Sequence, residues 1–115
     1  MKKVSKIAIL ILLALIFVGC DISVIRSYKV TYQVTGNSNS VSVRYLENGS
    51  YITKTVVPPY VYSFKAYSGD HLFIQAMNNQ SFSGPITIGI YRDGILMDDR
   101  RTAVANKIIE VEAQL

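Results

Sequence analysis

The side chains best suited to nucleophilic or acid–base chemistry are a single cysteine, Cys20, and a single histidine, His71. One cysteine cannot form a disulfide within the chain, and one cysteine with one histidine cannot supply a zinc site of four such ligands. His71 begins a predicted strand on the face opposite Leu72 and Ile74, and a catalytic triad would need a nucleophile and an orienting acid beside it. We therefore expect a surface histidine, and the sequence predicts no catalytic residue, metal or cofactor.

Five carboxylates could in principle cluster for calcium binding or glycoside hydrolysis: Asp93, Asp98, Asp99, Glu110 and Glu112. The Asp93-Gly94 pair is already explained as a turn. The run Asp98-Asp99-Arg100-Arg101 neutralises itself and shows no ligand spacing, so we expect it in a solvated loop.

The basic residues are concentrated at the N-terminus rather than over the whole chain. The formal charge is +4, and three of the twelve basic residues are Lys2, Lys3 and Lys6. All eight acidic residues lie from Asp21 onward, where nine basic residues oppose them. Nucleic-acid binding requires a clustered cationic face, which this remainder lacks, so we predict no nucleic-acid partner.

The first residues have the pattern of a secretory signal peptide. The three lysines form a positive segment, and Ile7 to Val18 is a run of twelve residues without a polar side chain. Spanning a bilayer takes about 20 apolar residues, so a transmembrane helix is the weaker interpretation, although uncleaved anchoring stays open.

The residues Phe17-Val18-Gly19-Cys20 resemble the lipobox of bacterial lipoproteins, with Phe17 where leucine is usual. In that family the cysteine sulfur accepts diacylglycerol, and a small preceding residue admits the signal peptidase. Two or more acyl chains attach a protein stably to a membrane. The resemblance implies a signal peptide over 1–19, recognised through Phe17, Val18 and Gly19, and a lipid on Cys20 at the extracytoplasmic face of the cell membrane. The alternative is that Cys20 is not lipidated and belongs to an ordinary secretory signal.

After a short tether over 20–27, the chain alternates apolar and polar residues with the period of half-buried strands. Asn48-Gly49 and Asp93-Gly94 match hairpin turns because these residues tolerate positive φ. Pro58-Pro59 ends a strand because proline lacks the N–H donor. About seven or eight short strands without a helical period predict an all-β fold, an antiparallel, immunoglobulin-like β-sandwich over 28–115.

Eight tyrosines are the feature that composition leaves unexplained. The strand after Pro58-Pro59 carries Tyr60, Tyr62 and Phe64 on one face. Aromatic residues can mark a binding surface, whereas a sandwich strand must bury one face, and core packing is the favoured interpretation. If this strand also contacts a partner, Tyr60 and Tyr62 are the interface candidates.

The order of strand and turn residues resembles the MmpS-type small membrane proteins of mycobacteria. The elements that carry the likeness are Tyr32-Gln33-Val34-Thr35-Gly36, Val41-Ser42-Val43-Arg44-Tyr45, Asn48-Gly49, Val57-Pro58-Pro59, Leu72 to Asn78, Ile86-Thr87-Ile88 and Arg92-Asp93-Gly94. The resemblance implies a membrane-tethered β-sandwich that assists a large RND-type transporter and has no catalytic residues. The lipobox in place of a transmembrane helix is a departure from that family.

Two hypotheses of different classes follow. The first is a non-enzymatic lipoprotein that acts through protein contacts, as an accessory subunit of an envelope transporter. The second is a cell-surface module that binds a small ligand or glycan through the loops Ser68 to Asp70, Asn79 to Gly84 and Asp98 to Asn106.

Overall fold

A computed structural model describes residues 25–81 and 84–115, which form eight β-strands. The strands are β1 (Ser27–Gly36), β2 (Val41–Glu47), β3 (Ser50–Val56), β4 (Tyr60–Tyr67), β5 (His71–Asn78), β6 (Ile86–Arg92), β7 (Ile95–Thr102) and β8 (Ile108–Gln114). Among these residues there is no helix that could cross a membrane. The predicted signal peptide, with Phe17, Val18, Gly19 and Cys20, lies outside the described residues.

The strands form two antiparallel sheets of four. One sheet has the order β4-β1-β6-β7, and the other has the order β3-β2-β5-β8. On one side of the sandwich the outer strands are β3 and β4; on the other they are β7 and β8, which approach each other closely. The predicted all-β antiparallel sandwich is confirmed.

The core lies between the sheets and is made by alternate residues of the central strands. β1 contributes Val30, Tyr32 and Val34, each with no exposed surface. The other inward-facing buried residues come from β2, β5, β6 and β8: Val41, Val43, Tyr45, Leu72, Ile74, Ala76, Ile86, Ile88, Ile90, Ile109 and Val111. Side chains with a period of two point to opposite faces of a sheet, which is why the apolar alternation predicted these residues as core.

Three turns lie at the end of the sandwich where the chain enters β1, here called the entry end. The β2–β3 turn has Asn48 at φ 49° and Gly49 at φ 83°, and the β6–β7 turn has Asp93 at φ 50° and Gly94 at φ 82°. Both hairpins therefore have positive φ at the two central residues, as predicted. The third turn, Ser68 to Asp70, carries the chain from β4 in one sheet to β5 in the other.

One expectation from the sequence was wrong. The run Asp98-Asp99-Arg100-Arg101 is not in a loop, because β7 continues to Thr102 and pairs with β6 over its whole length. Ile90 faces Asp98 while Tyr91 faces Leu96, so β7 contains a bulge at this point. β7 is an outer strand with little buried surface, and its sequence therefore does not show the apolar alternation of an inner strand. Only residues after Thr102 belong to the loop predicted over Asp98 to Asn106.

Candidate interaction surfaces

A cluster of aromatic rings fills the sandwich beside the β3 and β4 edges, here called the aromatic side. Tyr32 lies 5.3 Å from Tyr45 and 5.2 Å from Phe64, measured between ring centroids. Tyr62 lies 5.1 Å from Tyr45 and 6.0 Å from Phe64. Aromatic pairs at these separations add stability beyond their buried area. The cluster joins strands of both sheets, so it packs the core up to the edge.

The two innermost tyrosines of this cluster differ in how their hydroxyls are satisfied. The Tyr32 hydroxyl donates to the Leu46 carbonyl at 2.5 Å and accepts from the Phe73 N–H at 3.3 Å. Burial raises the pKa of Tyr32 to about 12. The Tyr45 hydroxyl is buried without a hydrogen bond of good geometry to any described residue. Burial, followed by the neighbouring Tyr60 hydroxyl, raises the pKa of Tyr45 well above its usual value.

The two predicted interface residues, Tyr60 and Tyr62, are half-buried and pack against the core. The Tyr62 hydroxyl donates to Glu47 Oε1 at 2.7 Å, and this bond to a carboxylate raises the pKa of Tyr62. Core packing, the favoured interpretation of this face, is what the structure shows. Their role in a partner interface stays a prediction.

The outward face of β4 is a surface that the sequence analysis did not single out. Its exposed members are Val61, Ser63, Lys65 and Tyr67, which alternate with the core-facing residues. The period of two that assigned Tyr60 and Tyr62 to one face also places Val61 on the other. Val61 is an exposed apolar side chain on an outer strand, and this combination is the sequence feature that could have identified it.

The outer strands on the two sides of the sandwich differ in charge. β4 carries one charged residue, Lys65, among aromatic and apolar neighbours. β7 carries two acidic and two basic residues, and β8 carries Glu110 and Glu112. Charged side chains on outer strands discourage pairing with another chain. β7 and β8 therefore carry more charge against pairing than β4, although exposed apolar side chains occur on both sides of the sandwich: Val61 on β4, and Ile95, Leu96 and Ile108 on β7 and β8.

The candidate acid–base residues are dispersed over the described part of the chain. His71 is exposed at the start of β5. Asp70 Oδ2 accepts the Tyr67 N–H and Asp93 Oδ1 accepts the Lys29 N–H, both at 2.9 Å, so each of these carboxylates holds a turn. No group of three or more histidine, cysteine or acidic side chains suited to a metal ion is found in residues 25–81 and 84–115.

Polar side chains in the loops at the far end of the sandwich are engaged with one another. The Ser38 hydroxyl donates to Asn78 Oδ1 at 2.7 Å, and Asn79 Nδ2 donates to Ser42 Oγ at 2.8 Å. These bonds hold the loop that begins at Asn79 against the β1–β2 connection. The loop that begins at Asn79, one of those offered by the binding-module hypothesis, thus uses part of its hydrogen-bonding capacity within the domain, while the loop Ser68 to Asp70 lies at the opposite, entry end.

No protein-family model matches this chain, and a search of curated proteins finds no match. The likeness to MmpS-type proteins therefore remains an expectation from the residues quoted above.

Proposed function

We propose that this chain is a lipid-anchored, non-enzymatic protein whose β-sandwich acts through protein contacts at the extracytoplasmic face of a membrane. The observation that carries the proposal is the short distance along the chain between Cys20 and the folded domain. Arg26 accepts the Ser68 N–H through its carbonyl at 2.9 Å and donates its own N–H to Ser68 Oγ at 3.2 Å. Residue 26 is thus fixed to the sandwich only six positions after the predicted lipidation site.

A short tether limits the domain to a thin layer above the membrane. Six residue steps span at most about 20 Å when fully extended. Confinement of this kind raises the effective concentration of the domain at a membrane partner without any new contact. Tethering is therefore the mechanism that we assign to the anchor.

The β4 edge is the surface that we assign to the partner. It combines a low charge with exposed Val61, whereas the opposite outer strands are charged. Peptide segments commonly add to an exposed sheet edge through main-chain hydrogen bonds. The resemblance to MmpS-type proteins supports a polytopic envelope transporter as the class of partner.

The test is in-cell crosslinking of the tagged full chain, followed by identification of the captured proteins. We expect a polytopic membrane protein to be enriched with the native chain and lost with Cys20→Ala. Ser23→Ala is the control, because it alters the same short segment and leaves the thiol in place. Capture of the same partner by Cys20→Ala at equal expression would show that tethering is not the mechanism, and capture of cell-wall glycan alone would favour the binding module.

A further inference from the structure

We infer that the entry end of the sandwich rests on the bilayer, with apolar side chains at its tip and a phospholipid phosphate held between Lys29 and Lys65. The inference rests on the proposed lipid anchor at Cys20. It adds an orientation of the domain and a second, non-covalent membrane contact. The occupant of this surface is the lipid itself.

The entry end is the end of the sandwich closest along the chain to the proposed lipid on Cys20. The described part begins at Ile25, and Arg26 is hydrogen-bonded to the turn after β4. The Lys29 carbonyl accepts the Asp93 N–H at 2.8 Å, which ties the β6–β7 turn to the same segment. Both turns are therefore held beside the point where the tether leaves the domain.

Exposed apolar side chains gather at this end. Ile25 is 75% exposed, Ile95 at the start of β7 is 66% exposed, and Tyr67 at the end of β4 is 45% exposed. Tyr67 pairs with Ser27 at the end of β4, and Ile25 precedes β1, so both lie at the tip. Ile95 pairs with Arg92, which pairs with Val30, so it lies at the level of the Lys29–Lys65 pair rather than at the tip. Aliphatic and tyrosine side chains are the types that enter the interface between lipid headgroups and acyl chains.

A pair of lysines lies a short distance above the tip. Lys29 and Lys65 are directly opposite each other on β1 and β4, and both are exposed. Like charges at directly opposite positions destabilise a sheet, so the pair would gain from a bound anion. Within the described part of the chain, neither ammonium pairs with a carboxylate, and the Lys65 ammonium lies 6.0 Å from the centroid of the Tyr67 ring. Lys29, Lys65, Ser27 and Ser63 line an open depression of about 410 Å³ on this face.

The depth of the lysines matches the depth of lipid phosphates. Lys29 and Lys65 lie two residues from the Ser27 and Tyr67 ends of their strands, which is about 7 Å along a strand. The headgroup layer on each side of a bilayer is about 5–7 Å thick. Ile25 and Tyr67 in contact with the acyl boundary would therefore place both ammonium groups beside the phosphates, with Ile95 at about the level of the lysines.

The experiment uses the full lipidated chain in vesicles of phosphatidylethanolamine and phosphatidylglycerol. With Cys20 acylated, an added cysteine is the only free thiol, so a small bimane fluorophore can be attached at one position at a time. Tyr67→Cys reports on the tip of the entry end, and Ile95→Cys reports on the level of the lysines. Val57→Cys and Val104→Cys, which are also exposed, report on the far end as matched controls. Phospholipids brominated in the acyl chains quench only fluorophores that reach the acyl boundary. Flotation of the vesicles, together with mass analysis of Cys20, shows independently whether the chain is anchored.

We expect quenching at position 67 to be at least about threefold stronger than at 57 and 104, because docked residues lie within about 5–10 Å of the acyl boundary, and quenching at position 95 to be intermediate. We also expect Lys29→Gln and Lys65→Gln each to lower the ratio of docked to undocked domain by about fivefold, the effect of one basic residue near an anionic surface. Lys107→Gln is the control for loss of charge elsewhere.

Equal quenching at the two ends, in protein that floats with the vesicles, would overturn the docked orientation and leave the anchor intact. Strong quenching at 67 with no effect of either lysine variant would overturn the phosphate contact. A chain that neither floats nor carries diacylglycerol on Cys20 would overturn the proposed anchor, and the docked orientation with it.

Discussion

The outer strands on the two sides of the sandwich differ in charge and in the packing behind them. β7 and β8 approach each other and carry charges of both signs, among them Asp98, Arg100 and Glu110. β3 and β4 instead flank a cluster of packed aromatic rings and carry a single lysine each, Lys54 and Lys65. Charged side chains discourage an outer strand from pairing with another chain. Aromatic packing stabilises an outer strand but leaves the N–H and C=O groups of its free edge accessible. This difference is the reason why we propose β4 as the edge that contacts a partner.

The largest effect that we expect comes from removing the ring on which the aromatic side is built. Tyr32 is fully buried and contacts both Tyr45 and Phe64. Replacing a large buried aromatic residue by alanine costs about 3–5 kcal/mol, so Tyr32→Ala should lower the free energy of unfolding by about 4 kcal/mol. Arg100→Ala on exposed β7 is the control, with an expected change within about 0.5 kcal/mol. Urea denaturation of both variants measures the difference, and equal losses would contradict the comparison.

Alkaline pH should weaken the aromatic side selectively. The folded state holds the pKa of Tyr32 at about 12, above the ordinary value of 10.0 for a tyrosine. The unfolded chain therefore releases its proton first, so this contribution to stability is complete below pH 10 and is lost as the pH rises toward 12. Tyr45, whose pKa is also raised, adds to the same loss.

Tyr32→Phe should flatten part of that pH profile. At neutral pH it should also cost about 2 kcal/mol, because the buried Leu46 carbonyl and Phe73 N–H lose a partner. The measurement is the free energy of unfolding at a series of pH values from 8 to 12 for the native chain and the variant. Parallel profiles would show that Tyr32 does not account for the alkaline loss.

A smaller effect is expected where the cluster meets solvent. Tyr62→Phe removes the hydrogen bond to Glu47 and keeps the ring contacts with Tyr45 and Phe64. The remaining groups can bind water because both residues are only half-buried, so the loss should be less than that of Tyr32→Phe. Thermal unfolding of the two variants side by side gives the order. A larger loss for Tyr62→Phe would place the main polar contact of the aromatic side at its rim.

The smallest effect on stability is expected from placing a lysine on an outer strand. Val61 on β4 and Ile108 on β8 are well matched, with 58% and 57% exposure. Val61→Lys and Ile108→Lys should each change the free energy of unfolding by no more than about 0.5 kcal/mol. Urea denaturation tests this, and a loss above that limit at Val61 would show that its outward position has a structural role.

The alternation of apolar residues predicted the core and most strands because it reports burial on one face. It missed the second half of β7, where Asp98 to Arg101 lie on an outer strand with no buried alternation. The Tyr62–Glu47 bond joins residues of different sheets, and the gathering of Ile25, Tyr67 and Ile95 at one end depends on how four strands are ordered. Contacts of this kind depend on the order of the strands in the two sheets. The local periodicity of the sequence carries no information on that order.

The central claim is that an anchored domain presents β4 to a membrane partner. The most direct test places a photo-crosslinking amino acid at Val61 or at Ile108 in the full chain in cells. We predict a specific crosslinked membrane protein from position 61, none from position 108, and loss of the product from position 61 when Cys20→Ala is added. The same product from both positions, or a product from position 61 that survives Cys20→Ala, would contradict the account.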